Sequence, residues 1–104
     1  MTSRKDKGDK AERARQSYWE SKGAVVFPVS PNYAGVDLIV FRKGLNPPLL
    51  SEVKGQRIPL YGQVLADAKA KLRADQTRLL NAGWPVEVEL VHVHPDTGEQ
   101  EVLI

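Results

Sequence analysis

Two carboxylates and one ammonium lie close together in the stretch from Gly35 to Gly55, GVDLIVFRKGLNPPLLSEVKG. They are Asp37, Glu52 and Lys54. Val36, Leu38 and Val40 alternate with Asp37, Ile39 and Phe41, which is the period of a strand. Lys43, Gly44, Asn46, Pro47 and Pro48 break the run, and an extended pattern restarts at Leu49. Glu52 and Lys54, two apart, project to one face of that second strand, and Val53 points away. An antiparallel pairing of the two strands puts Asp37 on the same face. Carboxylates are hard oxygen ligands suited to a cation such as Mg²⁺. A lysine beside them supplies a compact positive charge that orients water or offsets developing negative charge. The plain alternative is a cross-strand ion pair of modest worth. Against it, Asp37 interrupts a nearly continuous apolar run, which reads as a strand buried on both faces. A buried ionised carboxylate needs a partner or a metal.

The rest of the chain must position this group. A length of 104 residues is one domain, with 41% hydrophobic and 27% charged residues. The net charge is only +2, but it is unevenly spread. Arg4, Lys5, Lys7, Lys10, Arg13 and Arg15 crowd the start, and no Lys or Arg occurs from Val86 to Ile104. This predicts one electropositive face, the alternative being two solvated ends. Cysteine is absent, which excludes disulfides, thiolate metal sites and a cysteine nucleophile. No apolar run is long enough to cross a bilayer and no signal-peptide core follows the charged start, so a cytoplasmic, membrane-free protein is expected.

The polar segment 1–9 reads as a flexible basic arm, with 10–104 as the domain. A helix is expected over 10–22, ended by Gly23, with Ala11, Ala14, Tyr18 and Trp19 inward. Glu12, Arg15 and Trp19 form a neighbouring row. Helix physics alone makes Glu12 a first-turn acid favoured by the helix dipole. A first strand is expected over 23–27, then a loop over 28–34 carrying Ser30 and Tyr33, either turn residues or ligand contacts. Arg57, after the second carboxylate strand, is placed to meet a phosphate. A second helix is expected over 63–81. Gln76 falls on its inner stripe, either satisfied by a backbone group or part of the site. Lys69, Lys71 and Arg73 add positive charge to this helix. The last long strand spans 86–93, with a phase flip after Leu90 that suggests a bulge or an edge. His92 and His94 have metal-ligand spacing but no obvious third partner, so an exposed strand end is expected. A short edge strand is expected over 101–104.

Val36-Asp37, a hairpin turn and Glu52-Val53-Lys54 together resemble the PD-(D/E)xK nuclease core, with Val36 where the motif name has proline. The helix with an early acid (Ala11-Glu12-Arg13), the strand 24–27 and the Ser30 loop narrow the resemblance. They look like the archaeal-type Holliday-junction resolvases and the related small virus-type (VRR-NUC-like) nucleases. The likeness covers the first half at motif level and the remainder by element order. It implies an α/β, restriction-endonuclease-like core, a mixed central β-sheet flanked by helices, in the order helix–strand–strand–strand–helix–strand. It implies a metal site of Asp37, Glu52, Glu12 and the Val53 carbonyl, holding Mg²⁺ or in its place Mn²⁺, with Lys54 catalytic. Ser30 and Gln76 become supporting residues of the site.

The expected function is therefore metal-dependent endonucleolytic hydrolysis of DNA, structure-selective, by a homodimer that is cytoplasmic or virus-encoded. Arg4, Lys5, Lys7, Arg13, Arg57, Lys69, Lys71 and Arg73 are the expected nucleic-acid contacts, and RNA stays open as a substrate. Two other readings are a non-catalytic basic DNA-binding module with the same fold and a structural subunit in which the charges form a buried ion-pair cluster.

Overall fold

The two apolar runs around Asp37 and Glu52 form neighbouring antiparallel strands, as their period-two pattern requires. The computed structural model describes residues 4–29 and 36–104, with side chains from Gly8 onward. The elements run α1 (Arg4–Ser21), β1 (Val25–Pro28), β2 (Leu38–Phe41), β3 (Leu49–Gly55), α2 (Gly62–Asn81), β4 (Glu87–Val93) and β5 (Gln100–Val102). The strands form one five-stranded sheet in the order β1-β2-β3-β4-β5. Only β3 and β4 are parallel, joined through α2; the other neighbours are antiparallel. The domain is thus a compact α/β unit with a mixed sheet and two helices, as expected at that level. No helix among the described residues is long and apolar enough to cross a membrane.

The helices cover opposite faces. Ala11 of α1 packs with Leu38, Val53, Val91 and Val93 in one buried cluster. On the other face, Asp75, Arg78 and Leu79 of α2 border Ile39 and Leu50. Coverage on both sides leaves β3 buried from Leu49 to Val53 and β4 from Glu89 to Val93, the pattern of strands sandwiched between helices.

Several elements depart from the sequence expectation. Helix α1 starts at Arg4, so the arm expected over 1–9 is helical from that residue on. Its buried residues are Ala11 and Arg15, and Tyr18 is exposed. Gly23, at φ 86°, turns the chain out of the helix as expected, and the first strand starts two residues later than predicted, at Val25.

The phase flip in the last long strand has a cause other than a bulge. β4 keeps register with β3 without interruption from Glu87 to Val93. Glu89 faces α1 from the same side as Val91 and Val93, and it is 5% exposed. Arg15 donates to its two oxygens at 2.9 and 2.6 Å, Ser51 Oγ at 2.6 Å and Trp19 Nε1 at 3.0 Å. Arg15 also reaches Gln100 Oε1 at 2.8 Å and stacks over the Tyr18 ring at 4.0 Å. Burial alone raises the Glu89 pKa, but the hydrogen bonds from Arg15, Ser51 and Trp19 and the Arg15 charge outweigh it and hold the carboxyl below its usual value. A fully bonded buried pair of this kind fixes how α1 sits on the sheet.

Candidate active site

The pairing of strand β2 stops short of the end of β3. Its pairing with β3 ends at Leu38 opposite Ser51, so among the described residues Val53 to Gly55 have no strand neighbour on that side. Asp37 fills the first part of the gap. Its N–H donates to the Ser51 carbonyl at 3.0 Å, and its carboxylate accepts the Val53 N–H at 2.7 Å. The acid stands where a strand carbonyl would otherwise be. In a strand the N–H and C=O of one residue point to the same side, so the Val53 carbonyl opens to this edge as well. Beyond it lies a cleft of ≈ 640 Å³ lined by Gly8, Val53, Lys54, Gly55, Gln56, Arg57 and Ile58.

Helix α1 brings a second acid to the edge. Burial of Ala11 against the sheet turns the adjacent Glu12, half-buried, toward Asp37. The Glu12 pKa is pushed up to about 7, first by burial, then by the Asp37 charge and a hydrogen bond to Asp37, and last by the Asp9 charge. Two carboxyls held together resist double ionisation, so Glu12 loses its proton only around neutrality. Glu12 lines a smaller cavity of ≈ 200 Å³ with Asp9, Arg13, Gln16, Pro28 and Leu38.

Glu52 and Lys54 project together as predicted. Lys54 Nζ lies 3.2 Å from Glu52 Oε1; the Glu52 side chain is 8% exposed and that of Lys54 36%. They share the face of Leu90 and His92, their partners in β4, which is the face opposite α1. The expectation that Asp37 shares this face is corrected. Its carboxylate is tied to a main-chain N–H at the sheet edge and to Glu12 on the α1 side. Among the described residues no three His, Cys, Asp or Glu side chains converge as a group that could hold a metal. Val53 lies between the two pairs. The donors nonetheless suit Mg²⁺ or Mn²⁺ chemically: they are oxygens, and the Glu12–Asp37 pair carries a charge conflict that a cation relieves.

The remaining expected residues divide. Arg57 lines the cleft but bonds Asp96 at 2.8 Å on the surface. Arg13 lies at the smaller cavity. Lys69 is half-buried on α2, with Lys71 and Arg73 exposed. Gln76 is corrected from a site residue to a structural one, because its amide donates to the Val86 carbonyl at 3.0 Å. The His pair is corrected too. His92 is buried, with Nε2 bonded to the Gln56 carbonyl, and His94 Nδ1 accepts the Asp96 and Thr97 N–H groups in a turn. Ser30, and the side chains of Arg4, Lys5 and Lys7, fall outside the described residues.

Sequence reasoning missed the partnership of Ser51 and Glu89, although the phase flip was its signal: a strand that keeps register after Leu90 places Glu89 with Val91 and Val93. It also missed Gly8 and Gln56 as cleft walls, for which composition offers no sign. Compared with protein-family models, with curated proteins and with solved structures, the chain gave no significant match.

Proposed function

We propose that the protein is a metal-dependent DNA endonuclease built on a restriction-endonuclease-like core. The observation that carries this reading is the meeting of Glu12 and Asp37 at the edge of β3 that no strand among the described residues covers, one residue from Glu52 and Lys54. The element order supports it: helix–strand–strand–strand–helix–strand, followed by the short β5. Asp37, Glu12 and the Val53 carbonyl are the residues that would hold Mg²⁺ or Mn²⁺, with Glu52 able to join from the facing side. The bound ion would supply charge neutralisation at the scissile phosphate and acidify a water. In the reaction, a water oxygen adds to phosphorus, the P–O bond to the sugar breaks, and the leaving oxygen takes up a proton. Lys54 orients the attacking water or stabilises charge on the phosphate, as its position beside Glu52 allows. Gln56 and Arg57 line the cleft through which the strand would pass. A homodimer would allow two strands to be cut.

The test is cleavage of labelled four-way junction, flap, duplex and single-stranded DNA with Mg²⁺, Mn²⁺ or EDTA, by wild type and Asp37→Asn. Metal-dependent cutting lost in the variant is the expected result. Binding without cutting in every metal would favour a DNA-binding module instead. The projection of Glu52, with Lys54 at 3.2 Å, from the face opposite the other two acids is the observation that favours this second reading.

A further inference from the structure

The cleft at the β3 edge continues into a second depression of a different character. Gln56 and Ile58 line both. The second, ≈ 390 Å³, adds Pro59, Leu60, Tyr61, Gly62, Gln63 and Val64. Where the first cleft is walled by the main chain of β3 with Lys54 and Arg57, this one is a largely apolar shelf. Its side chains are unusually open: Ile58 is 68% exposed, Tyr61 75% and Val64 63%.

Tyr61 also occupies a position where local physics favours another residue. It is the N-cap of α2 in an extended conformation and makes no side-chain cap bond. Ser, Thr, Asp or Asn at that position would stabilise the start of a helix by accepting a main-chain N–H. A large exposed ring at a helix N-cap breaks a local rule, and such breaks concentrate at functional sites.

We propose that this shelf stacks an unpaired nucleobase of the strand whose phosphate lies in the adjoining cleft, so that the substrate is single-stranded DNA or the unpaired arm of a branched DNA. The inference rests on the nuclease reading for the direction of the strand through the cleft. Charge and shape agree with it. Lys54, paired with Glu52, and Arg57, in a surface pair with Asp96, each keep further N–H donors that suit a phosphate, and an aromatic ring beside aliphatic side chains suits the face of any base. Gly55 and Tyr61 are six residues apart, a span of at most ~22 Å at ~3.3–3.6 Å per residue, and shelf and cleft share Gln56 and Ile58, so both lie within reach of a few nucleotides of one strand. Paired bases in a duplex offer no free face to such a ring, so the shelf discriminates by base exposure and not by sequence.

The experiment measures fluorescence anisotropy of a labelled single-stranded oligothymidylate and of a duplex of equal length, in EDTA. It uses the full chain as wild type, Tyr61→Ser, Tyr61→Phe and, as a remote surface control, Leu45→Ser. Wild type is expected to prefer the single strand. Tyr61→Ser should weaken single-strand binding roughly 10- to 100-fold, as the loss of one stacked base implies. Tyr61→Phe and Leu45→Ser should bind as wild type. Equal affinity for both DNAs, no binding, or no effect of Tyr61→Ser overturns the inference. So does a concentration-dependent dimer that Tyr61→Ser dissociates, since the shelf would then be a self-association surface. Cleavage in Mg²⁺, measured separately, decides the nuclease reading: Tyr61-dependent binding without cleavage sinks that reading and keeps the stacking contact.

Discussion

Asp37 accepts the Val53 N–H at 2.7 Å, so the acid expected to bind a cation also closes the hydrogen bonding of the strand edge. Structural and catalytic roles can therefore be separated by substitution. Asp37→Asn keeps an oxygen acceptor for Val53 and should unfold in urea close to wild type, while losing metal-dependent cleavage. Asp37→Ala leaves that N–H without its partner and should cost about 1–3 kcal/mol. Equal stability of the two variants would show that the Val53 bond is replaced by water.

Glu12 sets a pH dependence. Its pKa is 4.5 unperturbed and about 7 in the fold, so folding favours the protonated form. Stability tied to that proton is full below pH 4.5 and is lost as pH rises through about 7. Glu12→Gln mimics the protonated acid. In EDTA its melting temperature should match wild type at pH 4 and exceed it at pH 8. A constant difference at all pH values would mean that Glu12 does not titrate between the two states.

The same proton must leave before Glu12 can coordinate a cation. Mg²⁺ should raise the wild-type melting temperature more at pH 8 than at pH 6, by mass action on the folded state. Thermal shift against Mg²⁺ concentration checks this. In Glu12→Gln the Mg²⁺ effect should be smaller and independent of pH. A Mg²⁺ response with no pH dependence in wild type would remove Glu12 from the site.

Lys54 lies 3.2 Å from Glu52, and its side chain is more than a third exposed. Lys54→Met should slow cleavage about 100-fold or more, in line with the loss of one charge-stabilising group. Its thermal response to Mg²⁺ should persist. Loss of both would place Lys54 in metal binding through its hold on Glu52.

The Arg15–Glu89 pair is a stability device. Arg15→Met should destabilise by about 3–5 kcal/mol, because it leaves a buried carboxylate uncompensated. The double variant Arg15→Met, Glu89→Leu should recover much of that loss in urea unfolding. The lowered pKa of Glu89 gives the opposite sign to Glu12: its contribution is present above the ordinary carboxylate pKa and fades as pH falls through the lowered value. Glu89→Gln should flatten that part of the acid limb.

The alternation in 35–55 made the β2–β3 pair legible, and Gly23 and Gly83 marked the helix ends. The joint projection of Glu52 and Lys54 followed from strand period alone. The side to which Asp37 turns did not, because it depends on where β2 stops pairing. The burial of Arg15 and Glu89 was not legible, because they lie far apart in the sequence and only their meeting across the sheet makes burial affordable. Gln76 was legible as a polar residue on an apolar stripe, and its choice between backbone and site was settled by the neighbouring Val86 carbonyl.

The Arg15–Glu89 bond joins residues 74 apart in the chain, and this bears on the order in which the protein assembles. α1 precedes the sheet in the chain, yet its buried Arg15 has no counterpart until β4 has been synthesised. Docking it earlier would bury an unneutralised guanidinium. The helix should therefore join late, after α2 has carried the chain across to the parallel partner of β3. Glu12 reaches Asp37 only in that last step, so the acid pair is assembled after the sheet that it would serve.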